Sequence, residues 1–289
     1  MACLNEPFTS VSVWISRNAM IKKHPLFFFL LFAFPLSWYP WIIALIQGRQ
    51  SGPNPLGPLV AAILVSALSG GWTATKTLLA RIVRWRVNIF WYAVVLMLPV
   101  LTVLAAATIN VWVTGASISN HPTLPGWREI ADRFIFIFLF IGLGEETGWR
   151  GFALEHLQKN RTAVQSSWIL MPIWAIWHLP LFGSEIVVAH LIPFLIGVGS
   201  ATFLSTWIYN RTNGSVLLPM LFHTTVNTVG AGLVFPMFQG AGLVSLWWIY
   251  AGIWAILAAS IVLTTGIERR LSASKNLFQQ TAGAPLIVN

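Results

Sequence analysis

Three short stretches of this chain hold side chains able to do chemistry, and each lies inside an otherwise apolar run. The first, Gly144-Glu145-Glu146-Thr147-Gly148-Trp149-Arg150, sets two adjacent carboxylates within a turn of a guanidinium. The second, Trp174-Ala175-Ile176-Trp177-His178, ends on an imidazole, and the third, His223-Thr224-Thr225-Val226-Asn227, pairs an imidazole with a carboxamide. Residues four apart on an α-helix share a face, whereas neighbours point about 100° apart. Glu146 therefore stacks with Arg150 and the two neutralise each other, while Glu145 points elsewhere without a local cation. A lone carboxylate in a low-dielectric site is suited to exchanging protons with a bound water. Trp174 lies one turn before His178, where its indole can pack on the imidazole, and His223 stacks with Asn227. Taken singly, each group also has a plainer reading. The Glu146–Arg150 pair can be a salt bridge holding its helix, and a histidine or asparagine between membrane helices is often hydrogen-bonding glue.

The elements that carry these residues follow from composition. Of 289 residues, 56% are hydrophobic and only 9% charged, with 16 Trp, 19 Phe and a single cysteine, Cys3. Soluble domains carry roughly 25% charge, so a soluble fold is excluded, as are a disordered chain, a disulfide scaffold and a thiolate metal cluster. The fold class is all-α, a polytopic membrane protein. A spanning helix needs about 20 apolar residues, and about eight such segments are predicted, near 26–47, 55–75, 87–113, 130–153, 164–182, 186–209, 215–238 and 243–266. The three motifs then fall on spans four, five and seven. At about 1.5 Å per residue, Glu145 lies about 12–15 Å from one end of span four and His178 roughly 20 Å along span five. On the same scale His223 and Asn227 lie roughly 12 and 18 Å along span seven. A carboxylate, two imidazoles and an amide at matching depth predict one buried polar chamber, because each ionisable group at the bilayer centre is expensive unless paired or hydrated. Gly144 and Gly148 form a small-residue step that lets another helix approach closely.

Eight spans put both termini on one side. Arg17, Lys22, Lys23, Lys76, Arg81, Arg84, Arg86, Lys159, Arg161, Arg211, Arg269, Arg270 and Lys275 fall on that side, against Arg49, Arg128 and Arg133 on the other. This asymmetry predicts cytoplasmic termini. The formal charge of +9 thus reports topology and not affinity for nucleic acid. With no eukaryotic targeting signal, a bacterial cytoplasmic membrane is the expected location. The organisation reads as N-terminal membrane helices over 1–129, a core over 130–240, and a final helix with its tail over 241–289. His190 is expected near the outer face with no role, Glu185 in an outer loop, and His24, His121 and His156 as loop or helix-end residues.

The order, helix placement and spacings of the three motifs resemble those of the CPBP intramembrane proteases, a family that includes the type II CAAX prenyl endopeptidases and bacteriocin-processing and immunity proteins. The resemblance covers roughly residues 130–240. One position departs from it, since the second motif usually opens with Phe and here has Trp174. The resemblance implies an endopeptidase with a chamber open towards the cytoplasm, acting on a peptide or lipidated protein in the bilayer. In it Glu145, helped by His178, activates water; His223 and Asn227 steady the oxyanion; and Glu146, Arg150 and Trp174 support them. The family is termed metalloprotease, and Zn²⁺ held by Glu145, His178 and His223 fits the residues as well as a metal-free Glu/His-activated water does. No H-E-x-x-H decides between them. A proton-coupled transporter would use similar groups but predicts an internal repeat, which is absent. A non-catalytic immunity or scaffold protein would keep the chamber without cleaving.

Overall fold

The computed structural model describes residues 19–116, 118, 125–183 and 186–282, from residue 266 onward as backbone only. Cys3, Arg17, His121 and Glu185 lie outside these residues, as do the side chains of Arg269, Arg270 and Lys275. Eight long helices occur among the described residues: α1 (Pro25–Ile46), α2 (Gly57–Ile82), α3 (Ile89–Thr114), α4 (127–158), α5 (Ala163–Trp177), α6 (Leu191–Arg211), α7 (Leu217–Met237) and α8 (Gly240–Ala282). The fold is an all-α polytopic membrane protein. No strand forms among the described residues, only an isolated bridge between Phe182 and Ile186.

Six of these helices, α1, α2, α3, α6, α7 and α8, are long and apolar enough to cross a bilayer. The other two differ for reasons visible in their residues. Helix α4 is long but interrupts its apolar run with Arg128, Glu129, Asp132 and Arg133 at its start and with the Glu145–Arg150 cluster further on. Helix α5 spans only 15 residues, about 22 Å at the usual rise, against the run to 182 expected from hydropathy. It starts on a capping box, in which Gln165 N–H donates to Thr162 Oγ1 and Thr162 N–H donates to Gln165 Oε1. It ends early because Pro180 disfavours helical backbone at the preceding residue. The chain passes into a 3₁₀ turn over Leu179–Leu181 and leaves His178 as the C-cap.

Helix α4 is one rod with two π-helical stretches, Ile137–Gly142 and Thr147–Leu154, on either side of Leu143–Glu146. Helix α7 changes to π-helix at Asn227 and keeps it to Val234. A π turn bonds i to i+5 and so rotates the residues after it relative to an α-helix; such turns recur at functional sites. Here they bracket the two carboxylates and begin on the carboxamide.

Two apolar clusters form the body. One gathers α1, α2, α4 and α5 around Phe29, Val65, Trp149, Phe152 and Trp177. The other gathers α3, α6, α7 and α8 around Val103, Leu204, Phe222, Phe235 and Trp254. The small-residue step of α4 does what its spacing predicts. A Cβ on Gly144 would lie 2.2 Å from the Pro55 carbonyl oxygen, and one on Gly148 would lie 2.4 Å from Pro58 Cβ. The start of α2 and the loop before it therefore lie directly on the α4 backbone.

The helix ends define two faces. On one, Arg81 Nη2 donates to Glu155 Oε1 at 2.7 Å, Tyr209 Oη donates to Glu155 Oε2, Ser215 Oγ donates to the Arg84 carbonyl, and Arg84 Nη1 donates to the Asn213 carbonyl. These bonds join the α2–α3 and α6–α7 loops and the end of α4. On the other face, Gln50 Nε2 donates to the Gly183 carbonyl at 2.8 Å and Arg133 Nη1 to the Gly232 carbonyl at 2.8 Å. These join the α1–α2 and α5–α6 loops and bring the start of α4 to the end of α7.

Candidate active site

Glu145 and Glu146 are both buried, although adjacent residues cannot share a helix face. Each therefore needs partners of its own, and the neighbouring helices supply them. Glu146 Oε1 accepts from Arg150 Nη1 at 2.8 Å and from His223 Nδ1 at 2.8 Å. Glu145 Oε2 accepts from the indole Nε1–H of Trp174 at 2.9 Å. The same indole ring lies under the Arg150 guanidinium, with 4.2 Å from Cζ to the ring centroid. Trp174 thus bridges the carboxylate and the cation that the helical wheel leaves on different faces. The sequence alone gave this residue only a packing role behind His178. The signal available was the departure from Phe, because only Trp offers an N–H there.

His178 is fixed by the geometry of the helix end it caps. Its Nδ1 lies 2.7 Å from the Trp174 carbonyl oxygen, one turn back in the helix that His178 caps. A carbonyl can only accept, so Nδ1 carries the proton and Nε2 is the nitrogen left over. Trp177 and Phe194 each meet the ring in a T-shaped contact, with 5.0 and 5.5 Å between centroids. His223 is set in the same way, with Nδ1 on Glu146 and Nε2 remaining. Asn227, one turn on, is half-buried and makes no side-chain hydrogen bond among the described residues.

Glu145, His178, His223 and Asn227 all line one cavity of about 950 Å³ between the two apolar clusters. The four residues expected to meet do so around a single space, while Glu146 and Arg150 lie behind its wall. Trp174, Trp177, Phe194, Phe222, Tyr250 and Trp254 are among the other lining residues, so the cavity is largely apolar with an aromatic share. His190 lies at the start of α6, on the Gln50–Gly183 face, but is more than the residue with no role expected there. It is buried, stacks on Trp247 with 5.5 Å between ring centroids, and lines this cavity. Its partner is far away in the chain, so no local pattern could reveal the stack.

Glu145, Glu146, Arg150 and His223 are all buried, so the site concentrates ionisable groups away from water. One Glu146 oxygen and the Nε and Nη2 of Arg150 have no hydrogen-bond partner. The pair is held by charge and by the indole, not by a complete hydrogen-bond set. Metal coordination asks for more convergence than these residues show. Among the described residues no three His, Cys, Asp or Glu side chains are grouped to hold an ion. Glu145, His178 and His223 border the cavity without forming such a cradle.

The direction of opening is set relative to the basic loops. On every contributing helix the lining runs from the level of Glu145 towards the Gln50–Gly183 face: Arg133 to Glu145 on α4, His190 to Ser205 on either side of the α6 start, His223 to Pro236 on α7, and Leu243 to Trp254 on α8. Its exposed members, Arg133, Phe136, Ala231 and Pro236, all lie at that end. The basic face, with Arg81 and Arg84, is the other one. Cytoplasmic termini and a chamber open to the cytoplasm are therefore mutually exclusive, because the helices place the cavity mouth and the basic loops at opposite ends.

An all-α integral membrane protein with a buried acid–imidazole chamber is the class defined by fold and site. Residues 127–229 match the family model described as Type II CAAX prenyl endopeptidase Rce1-like. Over 187 residues the chain is also 24% identical to the CAAX prenyl protease 2 of Methanococcus maripaludis, a match covering 61% of this chain and 69% of that protein. The resemblance to the CPBP intramembrane proteases read from the three motifs holds over the region that carries them.

Proposed function

We propose that this protein is an intramembrane endopeptidase that hydrolyses a peptide bond with water activated by Glu145 and His178, within a catalytic unit of residues 130–240. The observation that carries the reading is the shared orientation of these two side chains. Each has one polar atom tied to Trp174, the indole N–H for Glu145 and the carbonyl for His178, and each borders the same cavity. A fixed base beside a cavity that can hold water and substrate is what general-base hydrolysis requires.

In the proposed reaction, a water between Glu145 Oε1 and His178 Nε2 gives up a proton to the carboxylate as its oxygen attacks the scissile carbonyl carbon. The tetrahedral intermediate places negative charge on the former carbonyl oxygen. The Asn227 amide N–H and a protonated His223 Nε2 are the donors available to it, fixed before the charge develops. Collapse breaks the C–N bond, and the proton held by Glu145 passes to the leaving amine. The substrate is a membrane-associated peptide or a C-terminal segment. The relative's name points to prenylated chains, and the largely apolar lining of the cavity suits an apolar group.

The test is incubation of the detergent-purified protein with a library of plain and prenylated peptides, alongside Glu145→Ala and His178→Ala. Products should appear with wild type and vanish with each variant. Cleavage that survives both substitutions sinks the assignment. A chelator in the same assay leaves cleavage intact if these two side chains alone activate the water.

A further inference from the structure

We infer that the chamber is served from the non-cytoplasmic side of the membrane, so that its substrates are peptide segments already carried across the bilayer. The inference rests on the peptidase reading for what happens in the chamber, but not for where the chamber opens.

Two observations from different parts of the molecule carry it. The first is charge. Thirteen cations accompany the termini and the loops on their side, against three on the other. The hydrogen bonds joining Arg81, Arg84, Glu155 and Ser215 gather the α2–α3 and α6–α7 loops and the end of α4 into one physical face. Excess Lys and Arg in short loops fixes that face in the cytoplasm. On the opposite face Arg128 and Arg133 are interleaved with Glu129 and Asp132, so little net charge remains there.

The second is the shape of the cavity. Its lining leaves the level of Glu145 in one direction only, towards the cation-poor end. In the other direction Glu146, Thr147, Trp149 and Arg150 are fully buried, and Gly148 and Gly151 pack against Pro58, Leu78 and Val216. The chain below the two carboxylates is a solid plug between the chamber and the basic face. A peptide in the cytoplasm meets that plug, whereas one anchored on the far side meets Arg133, Ala231 and Pro236 at the mouth.

Thiol accessibility decides the matter. In the full-length chain carrying Cys3→Ser, single cysteines are introduced at uncharged, exposed positions so that the charge asymmetry is untouched. Gln50→Cys and Gln239→Cys report the mouth face, Asn160→Cys and Asn210→Cys the basic face, and Ala231→Cys the mouth itself. Intact bacterial cells are treated with a membrane-impermeant maleimide, then permeabilised and treated again. The expected result is labelling of Gln50→Cys, Gln239→Cys and Ala231→Cys in intact cells, and of Asn160→Cys and Asn210→Cys only after permeabilisation. The reverse pattern overturns the inference, as does labelling of all five, or of none, in intact cells. Protection of Ala231→Cys while Gln50→Cys and Gln239→Cys react overturns the access route. Labelling reads sidedness without hydrolysis, and the detergent assay reads hydrolysis without sidedness, so failure of one reading leaves the other standing.

Discussion

Helix α4 contributes to two arginine–glutamate pairs of nearly equal length in different surroundings, one with Arg81 of α2 and one within itself. At its basic end Glu155 meets Arg81 at 2.7 Å with side chains 35% and 17% exposed; two turns away Glu146 meets Arg150 at 2.8 Å with both fully buried. Distance alone would rank them together. Solvent separates them, because water screens the first pair and supports either partner if the other is lost. The second pair has no such reserve, and removal of one member strands a charge in low dielectric. The part-exposed pair is a latch between helix ends. The buried pair is a scaffold for the chamber, since Glu146 also holds His223 and Arg150 also lies on Trp174.

The difference can be broken from the largest effect down. Arg150→Ala should lower stability by about 3–5 kcal/mol and abolish cleavage, measured by thermal unfolding in detergent and by peptide products. If it unfolds no earlier than Arg81→Ala, burial does not distinguish the pairs. Glu145→Gln keeps an acceptor for the Trp174 indole but removes the base. Cleavage should fall by about 10²–10⁴-fold with the unfolding temperature almost unchanged, which sharpens the contrast between the reacting carboxylate and the supporting one. Gly148→Ala forces a methyl onto Pro58 and should cost about 1–3 kcal/mol, read by the same unfolding curve. A neutral outcome would mean that α2 does not hold α4 as closely as the structure has it. Arg81→Ala should cost no more than about 1 kcal/mol, leave cleavage near wild type, and lose even that small effect in high salt.

Much of the site was legible in the sequence because its three pieces obey local rules. The stacking of Glu146 with Arg150, the sequence interval from Trp174 to His178, and that from His223 to Asn227 are set by helical pitch. The scarcity of charge in apolar runs marks them as exceptional. The long-range partners were not legible. Nothing within span four says that Glu145 faces an indole 29 residues on, or that Glu146 bonds a histidine 77 residues on. The end of α5 was overrun for a related reason, because hydropathy measures solvent preference and is blind to the backbone restriction that Pro180 imposes.

Composition and loop charge by themselves determined that this chain is a helical membrane protein and which of its faces is basic. Both are sums over residues and survive ignorance of contacts. Only the tertiary structure decided that the chamber opens at the opposite face, that His190 belongs to it, and that Trp174 ties base to cation. Those are relations between helices distant in sequence, fixed by which side chains can pack and pair once the bilayer has forced the apolar surfaces together.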